Sequence, residues 1–216
     1  MKSSFFKSAI VLSFALSSHL FSQGAYLEKG KNGLGIAGVF SSNKDASAVG
    51  GSAGYSASGI FDFGISVAKI SFGQKFVEKD LSATAISPFV TIHAIKQDET
   101  TPISVSISGS YESDSYSSDA LSQLRWTLSA SGYSFGASIY GNITTSPTMK
   151  LQPSVGVAYA NSKSELKDDY GNSLTNESNA TLFSVAVALL FQTTPTTIFG
   201  ILCSIIKSQQ GGVFPK

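Results

Sequence analysis

Between Ile103 and Tyr111 the chain reads ISVSISGSY, which sets Ile103, Val105, Ile107 and Tyr111 on one side and Ser104, Ser106, Ser108 and Ser110 on the other. Side chains that repeat every second residue belong to an extended strand, so no helix accommodates this segment. The same period returns in TMKLQPSVGVAY, where Met149, Leu151, Val155, Val157 and Tyr159 oppose Lys150, Gln152, Ser154 and Gly156. It returns again where Phe61, Phe63, Ile65 and Val67 oppose Asp62, Gly64 and Ser66. Further strands are expected over Leu34 to Ser41, Val49 to Ala57, Leu81 to Ala94, Arg125 to Tyr140 and Leu182 to Phe191. That makes eight regular strands, with a ninth, less regular one after Thr197. Two of them break parity, at Lys69 on an apolar face and near Gly132, and a bulge or glycine kink is expected at each.

The connections between these strands alternate in length. Short ones are expected around Ser58-Gly59, from Gln97 to Pro102, from Ile143 to Pro147 and from Gln192 to Thr197. Longer ones are expected from Ser42 to Ser47, Gly73 to Asp80, Glu112 to Leu124 and Asn161 to Asn179. Most of the charge falls in the longer set; inside the regular strands only Asp62, Lys69, Arg125 and Lys150 are charged. Short turns at one end and long loops at the other describe an up-and-down antiparallel barrel of 8 to 10 strands.

Alternation does not say which face is outward. A soluble barrel keeps its apolar side chains inside, and a membrane barrel turns them toward lipid. Faces that meet water normally carry Lys, Glu and Thr, whereas the polar faces here are Ser, Gly, Ala and Thr. Only 13% of the residues are charged, against about 25% in ordinary soluble domains. Apolar runs stay near ten residues, too short for a membrane helix. Low charge with strand-length apolar periodicity points to a transmembrane β-barrel, expected to be non-enzymatic and either structural or narrow porin-like. The alternative is a soluble exported barrel or sandwich that holds a small apolar ligand.

Residues 1–24 have the features of a signal peptide: Lys2 and Lys7, an apolar run from Ala9 to Leu16, and a small-x-small pattern at Ser22-Gln23-Gly24. Cleavage there leaves residues 25–216 as one barrel domain, with an atypical final segment at 197–216. Cys203 is the only cysteine, so no internal disulfide is available. The whole chain has a net charge of +1, which gives no basis for nucleic-acid binding.

The stretch SPFVTIHAIKQDETTPISVSISGSYE, Ser87 to Glu112, resembles the strand-turn-strand units of the small outer-membrane β-barrel proteins of Gram-negative bacteria, such as the membrane domain of outer membrane protein A. The resemblance is one of pattern and covers Gly24 to Gln192. It implies insertion by the outer-membrane assembly machinery, contact with outer-membrane lipid, short turns in the periplasm and long loops outside that meet an extracellular partner. It implies no single activity. Thr197 to Ile206, TIFGILCSII, departs from the family's final amphipathic strand, because it is apolar on both faces. Even strand parity asks for eight or ten strands, with Gly211 to Phe214 as the remnant of a tenth.

Chemistry-bearing residues are few. Asp62, Arg125 and Lys150 share the polar face of their strands, which favours an ion network in the lumen over a polar path for solutes. His93 is the only histidine after the signal and is expected to bond a serine in the lumen or at the interface. A lipid-modifying barrel enzyme would have to use it. Gly33 to Gly38 matches GxGxxG, but neither a preceding strand nor a following helix frames it. Lys167 to Asn172 lacks the ligand spacing of a calcium loop. Trp126, Tyr133, Tyr140 and Tyr159 are expected in aromatic girdles. No catalytic group, cofactor or metal site is expected.

Overall fold

The computed structural model describes Ala25, Leu27, residues 29–42, 46–194 and 197–211. The expected export signal lies outside the described residues, as do residues 212–216. The strands are β1 (Gly33–Ser42), β2 (Ala46–Ala57), β3 (Phe61–Phe76), β4 (Lys79–Ile95), β5 (Ser104–Ser117), β6 (Trp126–Tyr140), β7 (Ile143–Ser146), β8 (Met149–Asp168), β9 (Ser173–Thr194) and β10 (Thr197–Gly211). One short helix, α1 (Asp119–Leu124), lies between β5 and β6. The fold is all-β, with up-and-down antiparallel strands in one strongly curled open sheet. Its order is β1-β2-β3-β4-β5-β6-β8-β9-β10, while β7 pairs only with the start of β8. No described pairing joins β1 to β10, so the expected ring is present as an open curl.

Several strands run further than their hydrophobic periodicity. β8 and β9 pair without a break from Met149↔Phe191 to Lys167↔Ser173, so most of the stretch from Asn161 to Asn179, expected as a loop, is a hairpin. Here the outward face carries Asn, Lys and Glu and the inward face mostly Ser and Asn, so polar residues on both faces hide the period-two signal although the backbone ladder continues. Opposite charges meet across it at Lys163↔Glu177. β5 likewise continues to Ser117, and the connection shrinks to Ser118–Arg125 around α1. The Ser118 hydroxyl accepts from the Ala120 amide at 3.4 Å to start that helix. Arg125, at φ 53°, ends it in the left-handed conformation.

The two expected parity repairs do not occur. Pairing of β3 runs through Lys69 on both sides without a shift, and pairing of β6 runs through Gly132 likewise. Lys69 stays on the outward face, at the point where that face stops being apolar. Tyr140, which breaks the aromatic parity of β6, points inward and is buried, as is Leu128 at the same parity. The ladder is irregular elsewhere, between Phe72 and Phe76 and between His93 and Ile95.

Inside the curl, Phe89 on β4 lies over Gly64 on β3. A Cβ at Gly64 would meet the Phe89 ring at 2.6 Å and would collide with the Ala53 carbonyl oxygen, so only glycine allows this approach.

Candidate functional site

The outward and inward faces separate sharply at one end of the sheet, where the tight turn at Ser58-Gly59 and the connection Lys96–Ile103 lie. On β4 the inward residues Ser87, Phe89, Thr91 and His93 are buried, and the outward residues Ile86, Val90 and Ile92 are exposed. The outward face at this level is apolar on β3 (Phe61, Phe63, Ile65 and Val67), β5 (Ile107), β6 (Phe135 and Ile139), β8 (Val155 and Val157) and β9 (Phe183 and Val185). Ile107 is 54% exposed, whereas Ser106 beside it is 5% exposed. The Ser106 and Ser138 hydroxyls meet inside at 2.7 Å, and Ser110 and Ser134 at 2.8 Å.

Toward the other end this polarity inverts. The outward face of β3 changes from Val67 to Lys69 and Ser71, that of β5 from Tyr111 to Ser113 and Ser115, and that of β8 from Tyr159 to Asn161 and Lys163. Inside, Ile70, Phe76, Leu81, Tyr116, Leu121 and Leu128 form an apolar cluster with Phe72 and Leu166 packed against it. Tyr111, Tyr133 and Tyr159 face outward close to the border. Tyr140, expected with them, is buried at the opposite end of β6, and Trp126 begins β6 beyond the border.

The polar interior has two charged groups of residues. Near the short turns, His93 Nε2 lies 3.0 Å from Asp62 Oδ2, and the Tyr140 hydroxyl lies 2.6 Å from His93 Nδ1. All three residues are nine-tenths buried or more. A neutral ring bearing its proton on Nε2 donates to Asp62 and accepts from Tyr140; a protonated ring donates to both. The chain therefore orients the imidazole in either state. Below it, Lys96 Nζ donates to the Leu27 carbonyl at 2.8 Å. Asn142 Nδ2 and Gln152 Nε2 both donate to the Ala25 carbonyl, at 3.2 and 3.4 Å. Burial pushes the Lys96 ammonium down to about 8, with Asp62 opposing and Lys150 adding to the shift.

The second group sits midway along β5. The Ser87 hydroxyl donates to Glu112 Oε2 at 3.0 Å, and Asp114 hydrogen-bonds Glu112.

Of the residues singled out in the sequence, Asp62 and His93 are in direct contact, and Lys150 lies close enough to act on Lys96. Arg125 is not part of that group: it caps α1, exposed, at the far end of β6. His93, expected to bond a serine, bonds Asp62 and Tyr140. Sequence reasoning missed Tyr140, Glu112 and Asp114. Sequence pattern alone groups Tyr140 with the girdle aromatics and puts the two acids in a loop; the signal that finds the acids is that ESDSYS continues the alternation of β5. The GxGxxG glycines lie along β1 with no helix after them. Lys167–Asn172 is a turn in which Asp168 Oδ1 accepts from the amides of Tyr170 and Asn172.

Among the described residues no helix is long and apolar enough to cross a membrane, which says nothing of strands. No group of three or more metal-binding side chains occurs among them. Comparison with protein-family models, with curated proteins and with solved structures finds no match.

Proposed function

We propose that this chain is a non-enzymatic β-barrel of the Gram-negative outer membrane, exported by a cleaved signal peptide and structural in role. One observation carries the reading: over the short-turn half of the sheet the exposed outward side chains are Ile, Val and Phe, while the buried inward ones on β3 to β6 are mainly Ser, Thr, Asp and His beside Phe89 and Tyr140, and those on β9 are Ala and Leu. Soluble proteins rarely leave apolar surface of that continuity uncovered, and lipid is the solvent that would favour it. On β8 the outward stretch from Leu151 to Tyr159 spans eight residue steps. At about 3.4 Å per step that is about 27 Å along the strand, or about 20 Å after a tilt near 40°, close to the roughly 25 Å apolar band of such barrels.

The polar-outside, apolar-inside half beyond the border suits water, and its turns are where an extracellular partner would meet the protein. Apolar packing around Leu81 and Leu128 at that end, and the contacts of Lys96, Asn142 and Gln152 at the other, favour a structural barrel over a wide porin-like opening. The Asp62–His93–Tyr140 chain is read as a buried fastening between β3, β4 and β6, since all three groups are enclosed at the short-turn end.

Expression in a Gram-negative host tests this directly. The mature chain is expected in the outer-membrane fraction, not extracted from it by carbonate or urea washes, with different gel mobility before and after boiling. With Cys203 changed to Ser, a polarity-sensitive fluorophore on Ile107→Cys should report hydrocarbon, and one on Ser106→Cys should not. Recovery as a soluble periplasmic monomer, or a water-like signal at position 107 in the inserted protein, would overturn the proposal.

A further inference from the structure

Among the described residues the continuous path of the sheet has nine strands, and each is antiparallel to the next. In such a meander the first and ninth strands point the same way. β1 leaves the short-turn end at Gly33 and β10 leaves it at Thr197, both running toward the long-connection end. β1 is uncovered along one edge: Leu34, Ile36 and Phe40 are 82%, 90% and 78% exposed, against 46–53% for the outward residues of β3, which are shaded from both sides. In lipid such an edge is untenable, because each unsatisfied backbone group there costs several kcal/mol. β10 offers a second edge of the same direction, tethered to the same sheet, and tethering favours an intramolecular partner through effective concentration.

We infer that the sheet closes through a parallel seam between β1 and β10 of one chain, the single parallel pair in an otherwise antiparallel ring. This deepens the membrane reading and rests on it. Odd strand numbers occur among membrane barrels, and parallel ladders are only slightly less stable per residue than antiparallel ones. A second copy fits less well. Pairing β1 with β1 and β10 with β10 would send the long connections of the two copies to opposite membrane faces. Pairing β10 of each copy with β1 of the other keeps their orientation but makes a ring of eighteen strands, a size that leaves an aqueous channel. The inward packing of Ile70, Leu81 and Leu128, each 1% exposed, suits the small ring.

Cys203 lies on β10, opposite Val187 of β9, and supplies a native anchor for the test. Single cysteines are placed in turn at positions 34 to 40 of β1 in the full chain inserted in outer membranes, and each variant is oxidised. The expected product is an intramolecular disulfide from Cys203 to one or two adjacent β1 positions, seen as a monomer of altered mobility that reverts on reduction. In a second series Cys203 becomes Ser and Ile205 becomes Cys; the linked β1 position should then move two residues toward Ser42. Movement toward Gly33 would mean an antiparallel seam and overturn the inference. So would a linked dimer, or no link at any β1 position. Variants enter the comparison only if they insert and keep the mobility change on boiling, so loss of the seam is distinguished from loss of the barrel. Hydrogen exchange on the unaltered chain gives a cysteine-free check: alternate amides of Gly33–Ser42 that β2 does not bond should be protected, and rapid exchange there would also overturn the seam.

Discussion

The two halves of this sheet use the same strands with opposite polarity. In the short-turn half, Ile107 and Val155 face out while Ser106, Asp62 and His93 face in. In the long-connection half, Lys69, Ser115 and Lys163 face out while Ile70, Leu81 and Leu128 face in. The backbone ladder crosses the border undisturbed, at Val67/Lys69 on β3 and at Tyr159/Asn161 on β8. Secondary structure is therefore indifferent to which face is apolar. Under the proposed membrane reading, polarity reports the solvent of each half, and the short-turn half is the one that meets lipid.

The largest expected effect comes from the core of the half with ordinary polarity. Leu128 is 1% exposed and packed among Ile70, Leu81 and Tyr116, so Leu128→Ala should cost about 2–5 kcal/mol. Ser106→Ala, at the same inward parity in the other half, removes only one hydroxyl pair and should cost about 1 kcal/mol. Urea unfolding of the inserted protein measures both. Equal losses would erase the distinction between an apolar and a polar interior.

Outward charge sharpens the comparison next. Ile107→Arg places a cation within the proposed lipid band and should cost about 2–4 kcal/mol. Ser115→Arg, on the outward face of the same strand beyond the border, should stay within about 0.5 kcal/mol of the parent. A tolerated Ile107→Arg in bilayers would show that lipid does not cover that face.

The smallest effect is a pH dependence at the short-turn end. Burial holds the Lys96 ammonium at about 8, below its ordinary 10.5, so between those values the unfolded chain binds more protons than the folded one. Stability should therefore rise with pH across that window, whereas a raised lysine would give a fall. Lys96→Met should lack this increment. Comparing urea midpoints of the two proteins at pH 7.5 and pH 10 isolates it, and parallel profiles would remove Lys96 from the fastening of Leu27.

How far the sequence reached follows from where its signal is strong. The strand centres around Ile107, Val155 and Phe63 were legible because an apolar residue at every second position admits no other backbone. The ends of β5, β8 and β9 were not, because Glu112 to Ser117 and Asn161 to Asn179 are polar on both faces and lose contrast while they remain paired. The same blindness hid Glu112 and Asp114. Lys69 and Tyr140 were misjudged for a related reason. A parity break was read as a defect in the backbone, whereas one residue marks the end of the apolar face and the other turns inward to His93.

By itself the sequence determined the all-β class, the order of strands and turns, and the contrast between an apolar and a small-polar face. These are local properties, written in spacing two residues apart. The tertiary structure decided which face is outward, because that depends on the direction in which the sheet curls. It also brought Asp62, His93 and Tyr140 into one chain although 31 and 47 residues separate them in sequence. Contacts of that range depend on register across several strands, and register is set by the whole ladder acting together rather than by any one segment.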